Sequence, residues 1–348
     1  MKRYIIRTGE GDVFTAASKA RQDAETIALR MGYGSFVFRG ERTAEGSISG
    51  ILRLAQDGVR NWRRLIQNAE NGSQVILQYP HYPMKSALLA RRMIPIGQRR
   101  KGLYFIALVH DLDSVRELHG KAAVYSDHKL LPLFDRIICH NERMKELLLR
   151  WGIPEEKLVV LGVFDYLTNT GFREHQKEDG IIIAGNLSPE KCAYVQEVIR
   201  TTRLPIHLYG KGLGTENLPE HITAHGAVPP EELPGELEGG FGLVWDGPEG
   251  NSCTGPAGEY LRINNPHKLS LYLAAGLPVI VWKEAAAADF VIKNGVGLAM
   301  ENLKEAEERI RTLSAEDYCR MRTKAAEVGK QLRNGFFLQK ALEQITAE

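Results

Sequence analysis

Cysteine is scarce in this chain: Cys139, Cys192, Cys253 and Cys319 are spread over 348 residues, with no CxxC pair among them. That spacing excludes a metal knuckle. Four thiols in so long a chain also make no disulfide framework, so a reducing compartment fits and each reads as a small core residue. Charge of one sign is lacking too, because 45 Lys and Arg against 43 Asp and Glu leave a formal net charge of +2. With no basic excess and no arginine-rich stripe interleaved with aromatics, nucleic acid is not expected as a partner. No apolar run nears the roughly 20 residues that a membrane-spanning helix needs. The stretch MKRYIIRTGEGDVF has no long apolar core of the signal-peptide kind, and the expected location is the cytoplasm. No repeat of solenoid length is present, and there is no TGxxGxxG start of the sort a nucleotide-sugar epimerase uses.

What the chain does have is a rhythm. Short β-rich apolar runs at Tyr4–Arg7, Ser35–Phe38, Gln74–Gln78, Tyr104–His110 and Arg136–His140 alternate with longer amphipathic stretches, such as a helix over Ala16–Met31. This is the βαβ pattern of a parallel sheet. From Val163 to Gly180 the pattern turns polar and irregular, as a linker does, and then restarts with Ile181–Asn186, Ile206–Tyr209, Phe241–Trp245 and Pro278–Trp282. At this length two α/β units of about 150 residues each are expected. We draw them as 1–164 and 165–334, with an amphipathic C-terminal segment, 335–348, packing back on the first.

Asn264 to Val281 is the most informative segment, NNPHKLSLYLAAGLPVIV. A proline near the start, an amphipathic helix and a Gly-x-Pro turn lead directly into a strand. The unsatisfied amides and positive dipole end of such a helix, with Asn265, His267 and Lys268 in its first turns, suit a diphosphate without a metal. The competing reading makes Lys268 a solvated helix residue and Gly276 only a cap. Gly185-Asn186 follows a strand and precedes a helix that carries Lys191, and Tyr209-Gly210 ends the next strand. Both therefore lie on the carboxyl edge of the second sheet, where open α/β sheets bind ligands. In the first unit, His110, Asp111 and Asp113 sit at a strand end, and one of them is a candidate general base for an acceptor hydroxyl. Helix capping is the alternative for the carboxylates. His110-Asp-Leu-Asp113 also looks like part of a metal site but has no further ligand cluster, so no metal is expected. Tyr79, His81 and Tyr82 end another strand as candidate acceptor contacts, with packing as the alternative.

These motifs resemble those of the bacterial GT-B glycosyltransferases that include the glucosyltransferase extending serine-rich adhesin glycans and the β-1,6-galactofuranosyltransferase-like enzymes. The likeness rests on LVHDLDSV at 108–115, LGVFDY at 161–166, AGNL at 184–187, GGFGLVWDG at 239–247, PHKLSLYLAAGLPVIVW at 266–282 and GFF at 335–337. It implies a GT-B fold of two Rossmann-like domains, with a UDP-sugar held mainly by the C-terminal one and the acceptor approaching from the N-terminal one. It further implies phosphate contacts at Lys268 and Lys191, nucleotide contact at the Gly185-Asn186 turn, and a donor-side role for the loop Thr15 to Lys19. One departure is Gly226, where a relative has Tyr. Another is Ile263 and Leu271, which stand where many retaining GT-B enzymes carry two glutamates. The missing pair points to an inverting displacement. The expected activity is transfer of a hexose (glucose, galactose or galactofuranose) from a UDP-sugar to a glycan hydroxyl on protein or lipid, in glycoprotein or surface-polysaccharide synthesis. No cofactor is expected. A homo-oligomer able to work at the periphery of a membrane is expected, and the alternative is a catalytically silent nucleotide-sugar-binding subunit of a glycosylation complex.

Overall fold

The computed structural model describes residues 1–8, 16–38, 48–80, 84–116, 127–213 and 218–347. The chain divides into two compact units. One is Met1–Val13 with Arg21–Leu161 and Leu338–Glu348, and the other is Phe14–Ala20 with Gly162–Phe337. The sequence reading drew 1–164 and 165–334 with 335–348 returning to the first, and did not separate the segment ending at Ala20 from the first unit.

The first unit is a parallel sheet of β1 (Arg3–Thr8), β2 (Gly34–Phe38), β3 (Gln74–Tyr79), β4 (Tyr104–Val109), β5 (Arg136–Cys139) and β6 (Leu158–Val160), in the order β2-β1-β3-β4-β5-β6. Helices α1 (Ala16–Arg30), α2 (Ile48–Asn68), α3 (Met84–Lys101) and α4 (Glu142–Arg150) connect the strands. β3 is buried along its whole length, the signature of a central parallel strand covered on both faces. On one face Trp62 of α2 is fully buried between Phe38, with ring centroids 5.6 Å apart, and Phe105, at 6.0 Å. Truncating such a residue costs on the order of 3–5 kcal/mol.

The second unit repeats the plan with β7 (Ile181–Asn186), β8 (Ile206–Lys211), β9 (Ile222–Gly226), β10 (Phe241–Val244), β11 (Val279–Trp282) and β12 (Gly297–Met300), in the order β12-β11-β10-β7-β8-β9. Its helices are α5 (Pro189–Cys192), α6 (Tyr194–Thr201), α7 (Leu233–Glu236), α8 (Gly255–Tyr260), α9 (His267–Ala274), α10 (Ala287–Asn294), α11 (Leu303–Thr312) and α12 (Ala315–Arg333). The last helix, α13 (Phe336–Ala347), runs from this unit into the first. Alternation along β7 sends Ile181 and Ile183 into one apolar cluster and Ile182 and Ala184 into the other, so the sheet is sandwiched by two cores. Among the described residues no helix is long and apolar enough to cross a membrane.

Strand order sets where ligands go. From β7 the chain winds outward through β8 and β9, then returns to the other side of β7 with β10. The reversal makes the carboxyl ends of β7 and β10 the switch-point crevice of an open sheet. Gly242 lets a ring close under that crevice, because a Cβ there would stand 2.1 Å from Tyr272 of α9. The Tyr272 hydroxyl accepts a 2.8 Å hydrogen bond from the Ala184 amide.

Candidate functional site

The crevice of the second unit collects the end of β7, the residues after β10 and the start of α9. Gly185 is the next-to-last residue of β7, at φ 131° with open space where a Cβ would be, and Gly210 is the next-to-last of β8, at φ 147°, where a Cβ would stand 1.8 Å from the Gly185 carbonyl oxygen. Only glycine permits that approach of the two strand ends. Asn186 is exposed, and its Oδ1 accepts from the Ser188 amide at 2.9 Å, which turns the chain into α5. Lys191 lies on α5, but its side chain is outside the described residues.

Lys268 occupies the first turn of α9. Its Nζ donates to the Trp245 carbonyl and to Asp246 Oδ1, each at 2.9 Å. The ion pair is largely desolvated, with 15% and 10% of the two side chains exposed. Burial lowers the lysine pKa, but the Asp246 carboxylate, together with Cys192 and Tyr272 beside it, outweighs burial and holds it above the ordinary lysine value. The ammonium is thus permanently charged and aimed past the end of β10, so Lys268 is no solvated surface residue. Gly276, by contrast, is the left-handed residue that ends α9 at φ 78°. Asp246 was not among the residues singled out from the sequence, although a carboxylate directly after an apolar strand was available as a signal.

Other expected contacts have different duties. Tyr209 is buried, its hydroxyl donates to the Glu236 carbonyl at 2.8 Å and accepts from the Glu238 amide at 2.9 Å, and it is a packing residue rather than a nucleotide contact. Asn265 is buried and its Nδ2 donates to the Gly162 carbonyl, which secures the entry to the unit instead of presenting an amide to a ligand. His267 stacks on Tyr166, centroids 5.0 Å apart, and its buried Nε2 has no partner among the described residues. Burial first, and then the charge of Lys19, push its pKa down to about 3, so the ring is neutral. Asn264, the neighbour that sequence reasoning passed over, likewise keeps a buried Oδ1 without a partner. Lys19 is buried, donates to the Leu167 carbonyl at 2.6 Å and sits 5.0 Å from the Tyr166 ring centroid. Thr15 lies outside the described residues.

In the first unit, His110 follows β4, and its Nε2 is 2.8 Å from Gln78 Oε1. Gln78 Nε2 donates to Glu25 Oε1 at 3.1 Å, and Glu25 accepts from Arg7 Nε at 2.9 Å. An ionised Glu25 only accepts, so the amide of Gln78 faces it and the Gln78 oxygen faces the histidine. His110 Nε2 must then carry the proton on that side of the ring. Asp111 is bound by Arg116 at 2.7 Å, and Asp113 is buried. Tyr79 is fully buried and its hydroxyl donates to Asp127, which overturns its reading as a ring offered to an acceptor sugar. His81 and Tyr82 lie outside the described residues. Asp127, also missed, accepts from the Ser114 amide at 2.9 Å and so braces the turn that follows His110. Among the described residues, one group has the makeup of a metal site: His207, His225 and Glu238, on β8, β9 and the segment before β10.

Comparison with known proteins matches both units. Residues 2–163 match the family described as glucosyltransferase 3-like, N-terminal domain, and residues 181–345 match its C-terminal domain. The β-1,6-galactofuranosyltransferase WbbI of Escherichia coli K12 is 34% identical over 246 residues, 69% of this chain and 70% of the relative. Glucosyltransferase 3 of Streptococcus parasanguinis is 23% identical over 351 residues, 99% of this chain and 98% of the relative. Anabaena HepE, solved in complex with UDP, superposes with a TM-score of 0.61 over the full length of both chains at 12% identity, a likeness of fold. The architecture is that of the GT-B glycosyltransferases.

Proposed function

The chain belongs to the glucosyltransferase 3-like family of glycosyltransferases, and from that premise we propose that it transfers a hexose from a UDP-sugar to a glycan hydroxyl. The observation that carries the donor assignment is the Lys268–Asp246 pair at the switch-point crevice. It keeps a desolvated ammonium beside the start of α9, where unsatisfied amides and the helix dipole already favour an anion. Gly185 leaves room for the nucleotide to approach the backbone. The Lys268 ammonium and the α9 amides stabilise the diphosphate as it leaves. No protein-bound metal takes part in this scheme.

On the first unit we assign the general base to His110, whose tautomer is set by Gln78 and Glu25. The acceptor oxygen attacks the anomeric carbon and its proton passes to His110. The bond from that carbon to the phosphate oxygen breaks, and the electron pair departs with UDP. With Ile263 and Leu271 in place of the paired glutamates, the displacement is single and inverts the anomeric centre. The acceptor is a glycan on protein or lipid, and the enzyme works in the cytoplasm.

A thermal-shift screen of UDP-, GDP- and dTDP-sugars tests the donor class, because a ligand that binds the native state raises its melting temperature by mass action. A rise with UDP compounds is expected, and no response to any of them sinks the assignment. Proton NMR of the product tests the stereochemistry, and retained anomeric configuration refutes the single displacement.

A further inference from the structure

The edge of the second sheet, on β8, β9 and the segment before β10, holds a group of side chains that the transfer scheme proposed above does not use. β8 and β9 pair in register up to Leu208 opposite Ala224, and then Tyr209 faces Gly226. His225 is therefore the extra residue of a β-bulge, the device by which a strand re-aims a side chain. Its ring lies flat on Tyr209, with centroids 4.2 Å apart and an interplanar angle of 1°, and its Nε2 comes within 3.0 Å of His207 Nδ1. Tyr209 in turn pins the chain of the third member, since its hydroxyl accepts from the Glu238 amide at 2.9 Å. One ligand atom from each of His207, His225 and Glu238 falls within 4.8 Å of the other two.

We infer that His207, His225 and Glu238 bind a divalent transition-metal ion, zinc by the character of the donors, which clamps edge strand β9 to the segment that enters β10. Two imidazoles and one carboxylate suit zinc and its neighbours rather than magnesium or calcium. Two nitrogens bound at ~2.0–2.1 Å to a tetrahedral ion stand roughly 3.3 Å apart, so the 3.0 Å between the two rings needs only a small adjustment. The cation already facing Glu238 is Arg173, held loosely at 3.6 Å with both side chains partly exposed, and a metal displaces it at little cost. Three protein donors leave a fourth position for water.

The inference is independent of the donor reading, because the test uses no nucleotide. The chelator-treated, full-length protein carrying Cys319→Ser, which removes an exposed competing thiol, is titrated with zinc chloride by calorimetry and with cobalt(II) by visible absorption. One zinc per chain is expected, with a melting temperature several degrees higher and cobalt d–d bands of a nitrogen–oxygen site. Glu238→Gln and His225→Asn should each weaken zinc binding at least tenfold. Glu238 is half-exposed, so its variant folds whether or not the histidine variant does. Absence of stoichiometric zinc, or zinc affinity unchanged in Glu238→Gln, overturns the site.

Discussion

Removing the charge of Lys268 tests the donor site most sharply, because the structure predicts two separable losses. In Lys268→Met the Asp246 carboxylate, only 10% exposed, is left without its cation. Breaking a buried ion pair by removing one partner costs ~3–5 kcal/mol. Since both side chains keep some contact with water, the lower end, about 3 kcal/mol, applies. Independently, UDP loses a charge-assisted hydrogen bond worth ~1.5–3 kcal/mol, a drop of about 10- to 100-fold in affinity. The second substitution Asp246→Asn separates the two. In Lys268→Met/Asp246→Asn the stranded carboxylate is gone, so the stability returns while the UDP affinity stays low. Urea denaturation and calorimetry with UDP at pH 7.5 measure both quantities on the same samples. If the double variant binds UDP as tightly as the wild type, Lys268 serves only to neutralise Asp246 and the phosphate contact is wrong.

Three further outcomes follow from the geometry. His110→Ala should lower the transfer rate on the order of 10²–10⁴-fold and leave UDP affinity unchanged in the same calorimetry; an unchanged rate moves the base elsewhere. Gly210→Ala drives a methyl into the Gly185 carbonyl and should cost well over the ~1–3 kcal/mol of backbone strain alone, whereas Gly185→Ala, facing open space, should cost only that strain; equal melting temperatures refute the packing argument. His140, buried and hydrogen-bonded to the Val109 carbonyl, is pushed down to about 4 by burial. Its folded pKa lies below the ordinary ~6.5 of an unfolded histidine, so its stabilising effect is complete above that value and is lost as pH falls from 6.5 toward 4. Between pH 7 and 5 this amounts to about 2 kcal/mol. His140→Gln should flatten the acid limb of stability by that amount, as read from urea midpoints.

The sequence carried the two parallel sheets clearly wherever a strand is central, since β4 is apolar along its length and β3 and β7 hold the runs Val-Ile-Leu and Ile-Ile-Ile-Ala. The strands that escaped it are edges: β6 has three residues, β9 reads Ile-Thr-Ala-His-Gly with one buried position, and β12 has no β-branched residue. An edge strand needs only one covered flank, so its pattern fades. Within the site, local motifs placed glycines and the α9 start correctly because these depend on backbone geometry, which neighbouring residues encode. What escaped were pairings across the sheet. Tyr79 and Tyr209 have the profile of ligand-stacking rings until their hydroxyls find Asp127 and the Glu236 carbonyl. Lys268 and Asp246, 22 residues apart, become one unit only because β10 and α9 converge at the switch point. His225 reaches His207 only because one extra residue in β9 turns it inward. Each case joins side chains through a register or crossover that is settled by the whole sheet. The residues whose roles were least legible are therefore the ones whose double substitutions, like that at 246 and 268, are most informative.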